Sequence, residues 1–250
     1  MKKILEIMAT KEPDFMIHGL YKFSFLGQEV YLTTTHVSLL IICVGLVLFA
    51  LIVRLKLKKP DEEPGVLQNI AELAVEMLDN MVYGSMGKKG DPFRNYMGAL
   101  FAFILVSNLS GLLGLRPPTA DYGVTLALGL ITFTIVQFNN VRYNKFGAVK
   151  ELFQPVLFLF PINLIGEIAV PISLSLRLFG NVLAGTVIMG LIYGLLSKVA
   201  FFWPGALHGY FDVFSGAIQT YVFCMLTMVF IGNKIPDNIT KKEKKVKRKK

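Results

Sequence analysis

Residues 152–196 read LFQPVLFLFPINLIGEIAVPISLSLRLFGNVLAGTVIMGLIYGLL. A helix rising about 1.5 Å per residue needs about 20 apolar residues to cross roughly 30 Å of hydrocarbon, and this run is far longer. Pro155, Pro161 and Pro171 stand near its start, and Glu167, Ser173, Ser175, Arg177, Asn181 and Thr186 follow. A long helix or helix pair, kinked and strongly tilted within a bilayer, fits that length better than a perpendicular rod.

The rest of the chain supports the same class. It is 54% hydrophobic and 17% charged over 250 residues, against about 45–50% and about 25% in soluble domains. Further apolar runs mark spans at about 37–53, 95–115, 122–141 and 208–232. Arg54, Lys56, Lys58 and Lys59 close the first, and Arg142, Lys145 and Lys150 close the third. DEEPG at 61–65 reads as a turn, RPP at 116–118 as a break, and Trp203–Pro204–Gly205 as a loop before the last helix. Residues 66–82, with Glu72, Glu76 and Asp79, predict an amphipathic interfacial helix ended by GSMGKKGDP.

The net charge of +9 invites a nucleic-acid reading, but its placement excludes one. With the N-terminus outside, the inner segments 54–94, 142–150 and 234–250 hold 19 of the 26 lysines and arginines. That is the positive-inside pattern for five crossings, with the C-terminus inside. The tail KKEKKVKRKK then reads as a solvated topology anchor that can touch anionic lipid. MKKILEIMATKEPDF begins like a signal peptide, but its apolar stretch is short and broken by Glu6 and Lys11, so we read it as retained. The expected organisation is an outer segment at 1–36, a membrane domain at 37–232 and a basic tail at 233–250.

No nucleotide-binding loop, zinc motif or nucleophile elbow is present. Cys43 and Cys224 lie singly in apolar runs, and His18, His36 and His208 are scattered, so no metal or cofactor is expected. Charge at membrane depth is what stands out. An arginine at mid-span costs about 2.5–3.5 kcal/mol on insertion scales, so Arg177 should face protein or water. Ser173, Arg177, Asn181 and Ala184 fall at i, i+4, i+8 and i+11, a stripe of small and polar residues suited to close helix approach. Asp212, Ser215, Gly216 and Gln219 make a matching stripe on the last helix. Glu167, about 80° around the helix from Arg177, reads either as a proton-handling acid or as a salt-bridge partner. Arg177 itself cannot shuttle protons, since guanidinium stays charged in proteins; a fixed positive gate for a moving carboxylate on a partner is its natural role.

PISLSLRLFGNVLAG at 171–185 closely resembles the signature of subunit a of the F-type ATP synthase membrane sector. SNLSGLLGLRPPTADYGVTLALG at 107–129 and AIQTYVFCMLTMVFIG at 217–232 agree with it, and the resemblance covers about residues 35–232. It implies an all-α integral membrane protein of about five membrane helices, the last two long and steeply tilted, plus the interfacial helix. It also implies a non-catalytic stator in a bacterial plasma membrane, carrying H⁺ or Na⁺ through two half-channels beside a c-subunit ring. The peripheral-stalk b subunit and the remainder of the synthase would be partners, with membrane lipid around them. Arg177 matches the family's essential arginine, Asn181 the amide one turn on, and Gln219 the last-helix glutamine near that arginine. Thr186 and Asp212 stand where the best-known bacterial pattern has a glutamate and a histidine, so Asp212 is expected to supply the acid absent at 186. A self-contained secondary transporter would predict an internal repeat, and none is found. A purely structural membrane anchor would have no need of these facing stripes.

Overall fold

The computed structural model describes residues 19–25, 28–57, 65–113, 115–144, 147, 153, 157–195 and 203–236. The leader-like first 18 residues, most of the DEEPG turn and the lysine-rich tail lie outside the described residues. Among the described residues, five helical stretches are long and apolar enough to cross a membrane: Thr34–Lys56, Val66–Leu113, Tyr122–Asn144, Phe160–Ile192 and Ala206–Asn233. The chain is an all-α, multi-pass membrane protein. Ahead of the first span lies one small exception, an antiparallel hairpin of β1 (Gly19–Phe25) and β2 (Gln28–Thr33).

Helix α1 (Thr34–Lys56) buries only Thr35, Ser38 and Ile42, all in its first turns. Leu40, Val47 and Leu55 are 62%, 60% and 84% exposed, the pattern of a helix that meets lipid over most of its length. Helix α2 (Val66–Met86) runs four residues beyond the expected end at 82. Gly84 stays helical, and the break falls at Gly87, whose φ of 58° lies where a glycine pays no Cβ penalty. A 3-10 segment, Gly87–Phe93, then leads into α3 (Arg94–Leu109).

The core is formed by α3, α4 (Tyr122–Asn144), α5 (Phe160–Leu195), the last helical run, and Val82 and Met86 at the end of α2. Met97, Ile104, Leu178, Phe223 and Met228 are fully enclosed there. Among them sit buried Ser107, Thr125, Thr132, Ser175, Thr220 and Thr227, because helices packing in lipid gain from small residues and close contact rather than from escape of apolar groups from water. The 36 residues of α5 span about 54 Å at about 1.5 Å per residue, well beyond a hydrocarbon core of about 30 Å, a length that accommodates tilt, a kink or extension past the hydrocarbon. Pro171 inside α5 leaves the Glu167 carbonyl without its intrahelical donor.

At that proline α5 meets α4 backbone to backbone. A Cβ added at Gly129 would stand 2.7 Å from the Pro171 carbonyl oxygen, a distance that side chains do not reach. Gly129→Ala is therefore expected to force the two helices apart at a cost of about 1–3 kcal/mol or more. The check is the thermal stability of the purified protein in detergent, together with its membrane abundance; unchanged values would show that the contact yields easily.

The last helical run corrects one expectation. Trp203–Pro204–Gly205 is not a loop: α6 (Trp203–His208) already includes it, with the proline in the first turn, where its missing N–H is no loss. From there the backbone passes through π-helical turns at Gly209–Ser215 into α7 (Gly216–Asn233) without interruption.

Candidate functional site

Helix α5 has two faces around Arg177. Leu174, Ser175 and Leu178 point into the core, whereas Ser173, Arg177, Gly180 and Ala184 are exposed. A Cβ at Gly166 or Gly180 would meet nothing within 4 Å. Arg177 makes no hydrogen bond or ion pair with any described residue. The bland alternative, a structural arginine neutralised by a neighbouring carboxylate of its own chain, finds no such neighbour among the described residues.

The expected stripe does not pack as a unit. Residues at i, i+4 and i+8 drift by about 40° per step around a helix, so the line spirals. Ser173, Arg177 and Ala184 stay open, while Asn181 turns towards the π segment and exchanges hydrogen bonds with the Ser215 hydroxyl at 3.0 and 3.1 Å. One turn on, Gly185 lies against Phe211, to which an added Cβ would come within 3.5 Å. Two of the predicted residues, Asn181 and Ser215, are thus brought into direct contact. Gln219 is buried close by on α7, its amide nitrogen unpaired, and it is not bonded to Arg177.

Asp212 sits on the π turns, facing the loop after α3. His208, four residues earlier, brings Nδ1 to 2.6 Å from its Oδ2. A Cβ at Gly111 would approach that carboxylate oxygen to 3.2 Å, so the glycine gives the acid its room. Asp212 lines two hollows. One, of about 360 Å³, is shared with Arg116, Thr186, Met189 and His208. The other, of about 20 Å³, reaches Asn108 and Asn181, and such a space is of the order of a single water. Thr186 touches both, with its own hydroxyl donating to the Val182 carbonyl at 2.9 Å. Polar groups therefore run from the wider hollow past Asp212 to Asn181, one turn from Arg177.

Glu167 stands apart from this cluster. It receives hydrogen bonds from Gln137 at 2.7 Å and from the Lys234 ammonium at 2.9 Å. Of the two readings of Glu167, the salt bridge is the one seen, formed across 67 residues of chain.

Several participants were not anticipated. His208 is one of three scattered histidines in the sequence, and its i, i+4 relation to Asp212 is the signal that pairs them. Asn108, Thr119 and Thr220 are joined by contacts that only the fold creates. Asn108 donates to the Gly216 carbonyl at 3.0 Å and to the Thr220 hydroxyl at 3.2 Å, and it accepts from Thr119 at 2.8 Å. No group of three or more His, Cys, Asp or Glu that could hold a metal occurs among the described residues.

Comparison with known proteins bears on this arrangement. Residues 36–232 match the family described as ATP synthase A chain. A sodium-ion-specific ATP synthase subunit a of Propionigenium modestum is 39% identical over 189 residues, covering 68% of this chain and 64% of its own length. The ATP synthase subunit a of Priestia megaterium is 33% identical over 236 residues, covering 88% of this chain and 98% of its own. That of Bacillus subtilis is 32% identical over 244 residues, with the same two coverages of 88% and 98%.

Proposed function

The chain belongs to the ATP synthase A chain family, and from that premise we propose that it is the stator of a rotary synthase, where an arginine gate separates two half-channels for H⁺ or Na⁺. The single observation that carries the reading is the open face of α5. A guanidinium at mid-helix, flanked by Ser173, Gly180 and Ala184 and unpaired within the described chain, suits a partner helix that brings a carboxylate. That partner is the c-subunit ring. The b-subunit stalk holds the chain still against it, and the rest of the synthase carries the catalysis.

Ions enter by the hollow at Asp212 and reach the gate past Asn181. His208 and Asp212 lend that route charge, and Gln219 offers an unspent donor near its inner end. The membrane domain is 37–232, with the N-terminus outside, the basic tail from 233 on the cytoplasmic side and a bacterial plasma membrane as the setting. Two features support this orientation, the excess of basic residues in the inner segments and the basic ends of α1 and α4, while the bacterial relatives support the setting.

The direct test is purification in mild detergent followed by reconstitution. Co-purification with a two-span hairpin protein and ATPase subunits, and ATP-driven cation pumping in vesicles, is the expected result. Comparison with and without Na⁺ and a protonophore identifies the ion. Pumping by the isolated chain down a solute gradient, without ATPase subunits, would favour the secondary transporter instead.

Glu167 has a role of its own in this scheme, as an acid on the far side of the gate held by Lys234 and Gln137. Glu167→Gln keeps the shape but removes the charge facing Lys234. Coupled pumping should fall roughly tenfold, a modest share of what a positioned acid or base contributes, with assembly intact. Wild-type pumping across pH would remove Glu167 from the path. Loss of the assembled complex would assign it to holding α5 and the end of α7 together.

A further inference from the structure

The motif SNLSGLLGLRPPTA, which carries part of the resemblance, contains a set of hydrogen bonds at the edge of the small hollow on the proposed ion path. Asn108 on α3 is 4% exposed and has nearly every polar valence filled. Its amide nitrogen donates to the Gly216 carbonyl and the Thr220 hydroxyl, and its amide oxygen accepts from Thr119, which is itself fully buried. Thr220 also donates to the Gly216 carbonyl, at 2.8 Å. Two side-chain donors therefore converge on one carbonyl.

That carbonyl belongs to the first residue after the π turns. Here the backbone ladder returns from i+5 to i+4 spacing, and a π segment has no side-chain propensity of its own to hold it in place. Gly216 allows α3 to come this close, since an added Cβ would stand 3.0 Å from the Asn108 Cβ. Shifting the π turns by one residue would rotate Asp212 away from Gly111 and Ser215 away from Asn181.

We infer that Asn108 is a positioning residue, a clamp from α3 that fixes the register of the π turns and so presents Ser215 to Asn181 and Asp212 to its hollow. The inference rests on the proposed ion path for its functional consequence, though not for its geometry. Ser107 contributes separately to the same corner, accepting from Ser110 through its carbonyl at 2.7 Å. Thr119, in the 3-10 turn Pro118–Ala120, ties the clamp to the loop that lines the Asp212 hollow.

The experiment uses the assembled synthase in membrane vesicles and has two readouts. The first is disulfide formation between Asn181→Cys and Ser215→Cys, in a chain carrying Cys43→Ser and Cys224→Ala, with and without Asn108→Ala. It reports register whatever the chain transports. The second is ATP-driven pumping of Asn108→Ala with the native residues at 181 and 215. Leaving the Gly216 carbonyl short of a donor in a buried site should lower both cross-linking and pumping roughly tenfold. In an Asp212→Asn background, Asn108→Ala should then add little to the pumping loss. Should Asn108→Ala fail to assemble, Asn108→Asp replaces it, since it keeps the acceptor for Thr119 and loses the donor. Full cross-linking overturns the clamp. Lost cross-linking with wild-type pumping overturns its role in transport. Normal pumping by Asp212→Asn alone, with cross-linking still sensitive to residue 108, would fault the ion path and leave the clamp standing.

Discussion

Arg177→Ala is expected to abolish ATP synthesis and ATP-driven pumping by the assembled complex and to open a passive ion leak. Truncating one partner of a desolvated charge pair costs about 2–5 kcal/mol, or roughly 30-fold to several-thousand-fold in the coupled step. The leak has a separate origin. A unit charge crossing 100 mV gains about 2.3 kcal/mol, and in the proposed gate the fixed cation denies it a route between half-channels that avoids rotation. Arg177→Lys keeps the charge but loses the planar fork, so it should couple poorly while leaking less than the alanine variant. Subunit content is measured first, then synthesis and passive leak. Synthesis near wild-type level removes the gate, and loss of the complex itself points to a structural arginine.

The second large effect is expected at Asp212. Asp212→Asn retains size and a polar contact for His208 but holds no charge in the hollow. A positioned acid or base contributes typically about 10²–10⁴-fold, so pumping should fall on the order of 100-fold with assembly unchanged. Thr186 borders the same hollows, so Thr186→Glu placed in the Asp212→Asn chain should restore part of the rate. ATP-driven pumping measured across pH decides the matter. Wild-type rates in Asp212→Asn would remove this acid from the path.

The legible parts of this molecule were those written in local pattern. Basic residues Arg54, Lys56 and Arg142 marked the span ends, and α1 and α4 stop close to them. Arg177 could be singled out because a guanidinium in an apolar run is costly wherever its neighbours lie. Other features depended on long-range geometry. The Glu167–Lys234 pair joins residues far apart in sequence, and nothing near either residue announces the other. The π turns have no residue signature, so the Asp212–Gln219 stripe was drawn on ideal α spacing that the backbone does not keep there. The loop expected at Pro204 is helical because proline is tolerated in the first helical turn and costs a hydrogen bond only deeper inside, as at Pro171.

The open face of α5 also bears on how the protein is made. A newly inserted chain carries the full insertion penalty of Arg177, about 2.5–3.5 kcal/mol, with no carboxylate of its own among the described residues to offset it. On the proposed reading, docking a partner's acid against that face recovers the energy. An orphan chain is therefore expected to be less stable than an assembled one, with one uncovered helix as its mark.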